Sequence, residues 1–401
     1  MSTKYKVEII PRLNDDDYGD AVDVSDRVKL KGINAIKKSL DSADYGVGIF
    51  TYSDITVTAS NADGYFNNVM DSRSIFPYSR DLAKVIVTFF QDVDKETITF
   101  RGLINDEATK VVPKTEEISF RVLSKDSVIR QEEVQEGAIA NGVTVQEALF
   151  QILNTDLIKK VLTVDIENIN PAYNATVDDG SAFDNLDARE AIGQLLIASN
   201  SILIIDEDDN VIVKSRDENM DKEPLKLYGA GDLRGRENII DLPNYNTGLQ
   251  RVFNSITLND VVFQNDLSVL TFGTRKKDIS LDWVTNSTNR TNIGNAILNE
   301  FKYPKIELEV KIPTEIAKEY ELLDRVSINF PYKLFPTSQF LPICGAFDAG
   351  DTDYLLPKIV GAVKIEPRVG FKIIEMTEDP KSFTTVLKLR EIGTEVDDGL
   401  L

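Results

Sequence analysis

Residues 54–68 read DITVTASNADGYFNN, and this stretch decides the fold class expected for the rest of the chain. The apolar residues of ITVTA, at positions 55–59, alternate with threonines, as in a β-strand with one buried face. The next four residues, Asn61–Gly64, are of types that favour a turn, and Gly64 can adopt a positive φ. The stretch therefore predicts a strand that ends in a tight turn.

More strands are predicted around this one. The segments KVIVTFF at 84–90 and TITFRGLI at 97–104 return within about fifty residues, which favours an antiparallel sheet or small barrel. Further strand candidates in this part of the chain are 4–10, 23–30, 33–40 and 116–123. Together they predict a first β-barrel domain over residues 1–125.

The pattern changes after residue 125. Apolar residues at helical spacing predict one helix within 144–160, where Thr144 and Glu147 have the spacing of a capping box, and a second within 187–199. A strand is expected at 161–166, and a hairpin at 201–215 that turns at Asp206–Asn210. Residues 126–245 are therefore predicted to form a small α/β insert.

Strand patterns return from residue 246 onward. We expect a second β-barrel domain over 246–401, with one helix at 292–302 and strands at 251–258, 267–272, 305–312, 325–330, 363–365, 370–377 and 382–390. The segment 331–356 is long and aromatic, and it can be either an exposed docking loop or a plug within its own domain. The predicted fold is mainly β (α+β), with two antiparallel tube-like β-barrel domains separated by the α/β insert.

Composition excludes several classes of function. The chain has no histidine, so Ser-His-Asp and Cys-His catalysis and histidine-containing zinc sites cannot be built. Its single cysteine, Cys344, cannot form an internal disulfide and is expected to be a small buried apolar residue. A net charge of −21 argues against a basic groove for nucleic acid. The N-terminal residues lack the layout of a signal peptide, and no apolar run is long enough to span a bilayer.

Two acidic segments raise the question of a cation site. Asp15–Asp17 lies in a polar loop that does not meet the spacing of an EF-hand, and Asp206–Asp209 lies in the predicted hairpin turn. In both cases a solvated acidic turn is the favoured interpretation. We expect no catalytic, cofactor-binding or metal-binding residues and no cofactor.

The order of these pieces resembles the tail hub (baseplate hub) proteins of tailed bacteriophages. Residues 54–68 resemble that family's strand and N-x-D-G-x-F turn, and Phe100–Ile104 resembles its F-x-G-x-I strand. Residues 186–213 resemble its unit of helix, hydrophobic strand, acidic turn and strand. Residues 251–256, and the Tyr303-Pro304 break before KIELEVKIP, resemble parts of its second barrel.

The resemblance implies a structural, non-enzymatic virion protein. Such a hub is a homotrimer that joins the six-fold tail tube to the three-fold tail tip and surrounds the DNA channel. Its partners would be a tail tube or distal tail protein on one side and a tail tip, spike or fibre protein on the other. It would neither bind nucleic acid stably nor insert into a membrane, and it would be made in the host cytoplasm.

Three alternatives stay open at this point. A distal tail or tube-like ring protein would form hexamers, whereas a hub would form trimers. A cell-wall-degrading tail enzyme would need two carboxylates, and none of the 66 acidic residues stands in a distinctive motif. A monomeric module could instead bind host saccharide through the aromatic segment 331–356.

Overall fold

A computed structural model describes residues 4–15, 17–29, 35–42, 47–67, 71–92, 95–217, 223–229, 237–246, 248–329 and 371–392. Its helices are α1 (Val145–Leu153), α2 (Asp156–Lys159), α3 (Ala188–Ser199), α4 (Asp266–Phe272), α5 (Ser287–Phe301) and α6 (Thr314–Ala317). Its strands are β1 (Lys4–Ile10), β2 (Val22–Asp23), β3 (Val28–Lys29), β4 (Ile36–Ser42), β5 (Val47–Tyr52), β6 (Ile55–Ser60), β7 (Lys84–Asp92), β8 (Lys95–Val112), β9 (Glu117–Ser124), β10 (Ser201–Ile205), β11 (Val211–Ser215), β12 (Leu225–Tyr228), β13 (Asp241–Asn246), β14 (Ser255–Leu258), β15 (Val261–Gln264), β16 (Lys276–Ile279), β17 (Glu307–Pro313), β18 (Arg325–Asn329), β19 (Phe371–Asp379) and β20 (Thr384–Glu391). The prediction of a mainly β fold is confirmed.

The first sheet is curled and almost closed. Its strand order is β2-β1-β7-β8-β9-β6-β3, and every pairing is antiparallel. The two edge strands, β2 and β3, are joined by the short turn Ser25–Arg27, so the edges must lie close together in space. Tyr5 of β1 closes the gap, because its hydroxyl donates a hydrogen bond of 2.8 Å to the Val28 carbonyl of β3.

Residues 54–68, the opening stretch of the sequence analysis, contribute a strand and a buried aromatic residue to this barrel. Strand β6 runs along β9, and Gly64 takes φ +77°, as the turn chemistry predicted. The Asn61 side chain accepts a 2.7 Å hydrogen bond from the Phe66 amide, which directs the Phe66 ring into the barrel core. There the ring is fully buried and meets Phe120 edge-on at 5.6 Å. The turn therefore fixes an aromatic anchor of the core.

Gly102 in the Phe100–Ile104 strand has a steric reason to be glycine. A Cβ atom at this position would lie 2.3 Å from the Leu123 carbonyl oxygen of β9. We expect Gly102→Ala to lower the free energy of unfolding by about 3 kcal/mol, because two paired strands would have to separate. Urea unfolding measures this loss. The control is Gly193→Ala in α3, where a Cβ meets nothing within 4 Å, and which we expect to be neutral or slightly stabilising.

The second large sheet has ten strands and draws on all three predicted parts of the chain. Its main path is β11-β10-β5-β4-β19-β20-β17-β13, with β18 paired to β19 and β12 paired to β18. Strands β4 and β5 come from the first part of the sequence, yet β4 pairs with β19. Most pairings are antiparallel, but β5 pairs in parallel with β10, through Gly48 and Ile202. Strand pairings join all three predicted parts of the chain, so the division at 125 and 245 stays a proposal.

The helices build a third core. The prediction of both insert helices is confirmed: Thr144 and Glu147 form the capping box of α1, and the Asp187 side chain caps α3. This core also includes residues from 256–301, among them the three-stranded sheet β15-β14-β16, helix α5 and the fully buried Trp283. Part of the predicted second barrel therefore packs with the insert.

Two predicted strands are wrong, and the strand predicted at 23–30 is interrupted by the 3-10 turn Ser25–Arg27. Residues 267–272 form α4, because the Asn265 side chain accepts from the Ser268 amide at 2.8 Å and starts a helix there. Residues 161–166 form a turn that leads into a 3-10 turn at Ile166–Asn168. Within that segment, Thr163 makes the sole β-bridge, to Asn210, too little pairing for a strand. The predicted strand at 363–365, the aromatic segment 331–356 and Cys344 lie outside the described residues.

Candidate functional site

The described residues contain no group of three or more acidic or cysteine side chains arranged to hold a metal ion. None of the helices in that part of the chain is long and apolar enough to cross a membrane. Asp15 and Asp209, from the two acidic segments, contact positively charged side chains.

The acidic turn Asp206–Asp209 lies against cations of the first barrel. The Asp209 carboxylate pairs with Lys84 at 2.5 Å and also with Lys125, and Glu207 pairs with Arg101 at 2.9 Å. The Lys125 ammonium also donates to the Asp206 carbonyl at 3.1 Å. Two lysines and one arginine therefore pair with this turn and tie the β10–β11 hairpin to the barrel.

We expect Asp209→Asn to lower the free energy of unfolding by about 2 kcal/mol, because it leaves two half-buried lysines without their shared carboxylate. Asparagine tolerates the φ of +67° found at this position, so the substitution isolates the charge. The control is Asp208→Asn, which removes the same charge from an exposed position one residue away. Urea unfolding at low and high salt measures both; equal effects of the two variants would contradict the ion-pair account.

The Asp15 carboxylate likewise contacts side chains of the protein. Asp15 accepts a 3.1 Å hydrogen bond from the Tyr78 hydroxyl and pairs with Arg12 at 3.2 Å and Lys160 at 3.7 Å. The Tyr78 hydroxyl and then the Lys160 charge hold the pKa of Asp15 below its ordinary value. Asp17 is hydrogen-bonded to Asn14, and Asp16 lies outside the described residues. Asp15 thus serves to join the loop to its surroundings.

A cleft of about 440 Å³ lies beside strands β8 and β9 and the 3-10 turn Lys125–Gln131. It is lined by polar residues, including Asp54, Asp81 and Asp126. Asp54 is bound by Arg121 at 2.6 Å, and the buried Asp126 is bound by Arg189 at 2.5 Å. These carboxylates are engaged in holding the cleft wall together, and the arrangement presents no distinctive pair for acid–base chemistry.

A second ionic cluster joins the helical core to the ten-stranded sheet. Glu300 at the end of α5 pairs with Lys305 at 2.6 Å and with Arg216, which follows β11. Nearby, Glu307 of β17 pairs with Arg390 of β20 at 3.0 Å. This cluster could not be predicted from the sequence, because Arg216 and Arg390 lie more than eighty residues along the chain from the three other members and each stands in an ordinary strand or helix-end sequence.

The position of Asp54 and Asp63 agrees with a structural role. Asp54 precedes β6 and binds Arg121, and Asp63 in the following turn pairs with Arg27 at 2.7 Å. The guanidinium of Arg27 also lies over the Tyr65 ring, 4.1 Å from its centre. Both carboxylates therefore fasten the opening stretch to neighbouring parts of the barrel.

Comparison with known proteins gives matches at the level of structure. No family model matches the sequence, and no curated protein matches it. A tail protein from Neisseria meningitidis MC58 matches with a TM-score of 0.55 at 11% identity, covering 99% of this chain and 97% of that one. A prophage tail protein from Listeria monocytogenes EGD-e matches with a TM-score of 0.51 at 11% identity, covering 97% of this chain and 95% of that one. The 43 kDa tail protein of prophage MuSo2 from Shewanella oneidensis matches with a TM-score of 0.50 at 13% identity, covering 97% of this chain and 98% of that one.

These matches run over almost the whole of each chain, so they concern the complete arrangement of sheets and helices. The chain has the fold of these tail proteins. The resemblance inferred from residues 54–68, 100–104, 186–213 and 251–256 is therefore confirmed at the level of the fold.

Proposed function

We propose that this protein is a structural, non-enzymatic component of a bacteriophage tail or related particle, namely a hub at the tail tip. It would form a homotrimeric ring that joins the six-fold tail tube to the three-fold tip and surrounds the DNA channel. The observation that carries the proposal is the match to tail proteins over 97–99% of this chain.

The internal architecture supports a role as an adaptor between a six-fold and a three-fold symmetric structure. Each chain contributes two large β-sheets, one of seven strands and one of ten, so three chains would place six such sheets around an axis. A trimer of this kind could present six β-surfaces to a tube and three-fold symmetry to a tip. Its partners would be a tube or distal tail protein above the ring and a spike, tip or fibre protein below it.

The charge supports passage of DNA without binding. Each chain carries −21 formal charges, so a trimer would carry 3 × −21 = −63. An acidic channel repels phosphates and lets the duplex slide, whereas a clamp would need clustered lysine and arginine side chains.

The mass of the purified chain in solution, followed by imaging of the particles, tests the proposal. We expect a trimer with an open centre, formed by the chain alone or on adding its tube partner. A hexameric ring would favour a distal tail or tube-like protein instead. Cleavage of cell-wall polymer that is abolished by substitution of one acidic residue would overturn the non-enzymatic role.

A further inference from the structure

The hairpin between β8 and β9 ends in a tip at residues 110–116, where every residue is exposed. Val111 is 57% exposed and Val112 is 41% exposed. Lys110 and Lys114 lie on either side of these two valines. The hairpin tip therefore exposes one valine on each face of the β8–β9 ribbon, between two lysines.

A large bulge sets the direction of this hairpin. Asn105 pairs with Arg121, but the next pair is Lys110 with Ser119, so β8 has extra residues that β9 lacks. The Asn105 side chain holds the bulge by accepting a 3.0 Å hydrogen bond from the Ala108 amide. Because β7 begins at Lys84, opposite Leu103, the ladder between β7 and β8 does not extend to the tip, and no strand within the described residues pairs with that edge of β8.

Apolar side chains are also exposed on β15 and α4, in the helical part of the molecule. Strand β15 forms one edge of the three-stranded sheet, and α4 follows it directly. We call the exposed side chains of these two elements the valine–leucine patch: Val261 (38% exposed), Val262 (59%), Leu267 (37%) and Leu270 (84%). Two exposed acidic residues lie beside it: Asp260 directly precedes Val261, and Asp266 directly precedes Leu267.

We propose that the hairpin tip of one copy of this chain docks on the valine–leucine patch of a second copy. The two surfaces are complementary: each presents valines, one set lies between lysines and the other beside aspartates. Each also has a strand edge with which no strand in the described part of the chain pairs, so the contact can include main-chain hydrogen bonds between β8 and β15. Burial of both surfaces would remove apolar area from water.

A pairing between two different surfaces is the kind of contact that a closed ring requires. A closed ring of three copies needs two different surfaces on each chain, because every copy contacts one neighbour with each of its two sides. The hairpin tip and the valine–leucine patch belong to different elements and cannot be the same surface. The inference rests on the proposed function, in that it names the contact through which copies of the chain would associate.

Cysteine cross-linking tests the contact in the full-length chain. In a Cys344→Ser background, Val112→Cys and Val262→Cys are made as two separate proteins and mixed under mild oxidation. We expect a covalent dimer from the mixture and very little from either protein alone. A chain carrying both substitutions should give covalent rings. The matched control uses Leu13→Cys in place of Val112→Cys. Leu13 is 49% exposed in a different loop, so a cysteine there should not cross-link to Val262→Cys.

Charge reversal gives a second, independent readout. Lys114→Glu should weaken self-association by about tenfold, and adding Asp266→Lys in the same chain should restore it. Assembled trimers without the mixed cross-link would overturn this contact and leave the hub proposal standing. Failure of the chain to associate with itself, alone or with the tube partner, would overturn both.

Discussion

Replacing Trp283 by alanine should lower the free energy of unfolding by about 3–5 kcal/mol, the range found when a large buried aromatic side chain is removed. Trp283 is fully buried, and its ring lies 6.0 Å from that of Phe183. Its carbonyl also accepts a 3.2 Å hydrogen bond from the Asp179 amide. Trp283 therefore fastens the stretch 256–301 to the insert.

Urea unfolding followed by circular dichroism measures the loss. Trp283→Phe is the control: among the described residues the buried indole N–H has no hydrogen-bond partner, so phenylalanine gives up packing volume but no polar contact. In Trp283→Ala, hydrogen exchange should accelerate in both α3 and α5, because both helices pack in this core. Faster exchange in one helix and not the other would show that the two regions do not fold as one unit.

Elements set by local chemistry could be predicted from the sequence. The alternation in 54–60 and the apolar, β-branched and aromatic residues of 84–90 specify β6 and β7, and the spacing of Thr144 and Glu147 specifies the start of α1. In each case the signal lies within about ten residues, so it does not depend on what the segment packs against. The same applies to the hairpin at 201–215, whose strands and turn chemistry are contiguous.

Long-range pairing could not be predicted in this way. The short strand β5 reads VGIFTY without strict alternation, because β4 and β10 flank it and residues 47–50 are all buried. The segment 267–272 alternates weakly, yet the Asn265 cap makes it a helix. The contacts of Asp209 with Lys84 and Lys125 also depend on the folded chain, although the acidic turn itself was visible in the sequence.

Glu300→Gln should lower the free energy of unfolding by about 3–5 kcal/mol at neutral pH, the cost of breaking a buried ion pair from one side. The Glu300 side chain is 15% exposed, and it faces Arg216 and Lys305, whose side chains are 14% and 19% exposed. Removing the carboxylate charge leaves two largely buried cations near each other. Burial already lowers the pKa of Lys305, and Glu300 opposes that shift, so the variant should lower it further.

The pH dependence identifies the cause of this loss. Burial would raise the pKa of Glu300, but the charges of Arg216 and Lys305 outweigh it and hold the pKa below the ordinary value of 4.5. The ion pair therefore stabilises the folded state above about pH 4.5, and that stabilisation is lost as the pH falls through the lower folded-state value. Denaturant titrations of wild type and Glu300→Gln should accordingly converge in acid.

Glu223→Gln provides the matched comparison, because it makes the same change in an exposed pair. Glu223 lies 2.6 Å from Lys226, with the two side chains 78% and 55% exposed, so water already screens the interaction. No measurable change in stability is expected for this variant. If Glu300→Gln were equally silent, the junction between α5 and the ten-stranded sheet would depend on apolar packing around Phe301 and Ile306, and the ionic cluster would not hold it.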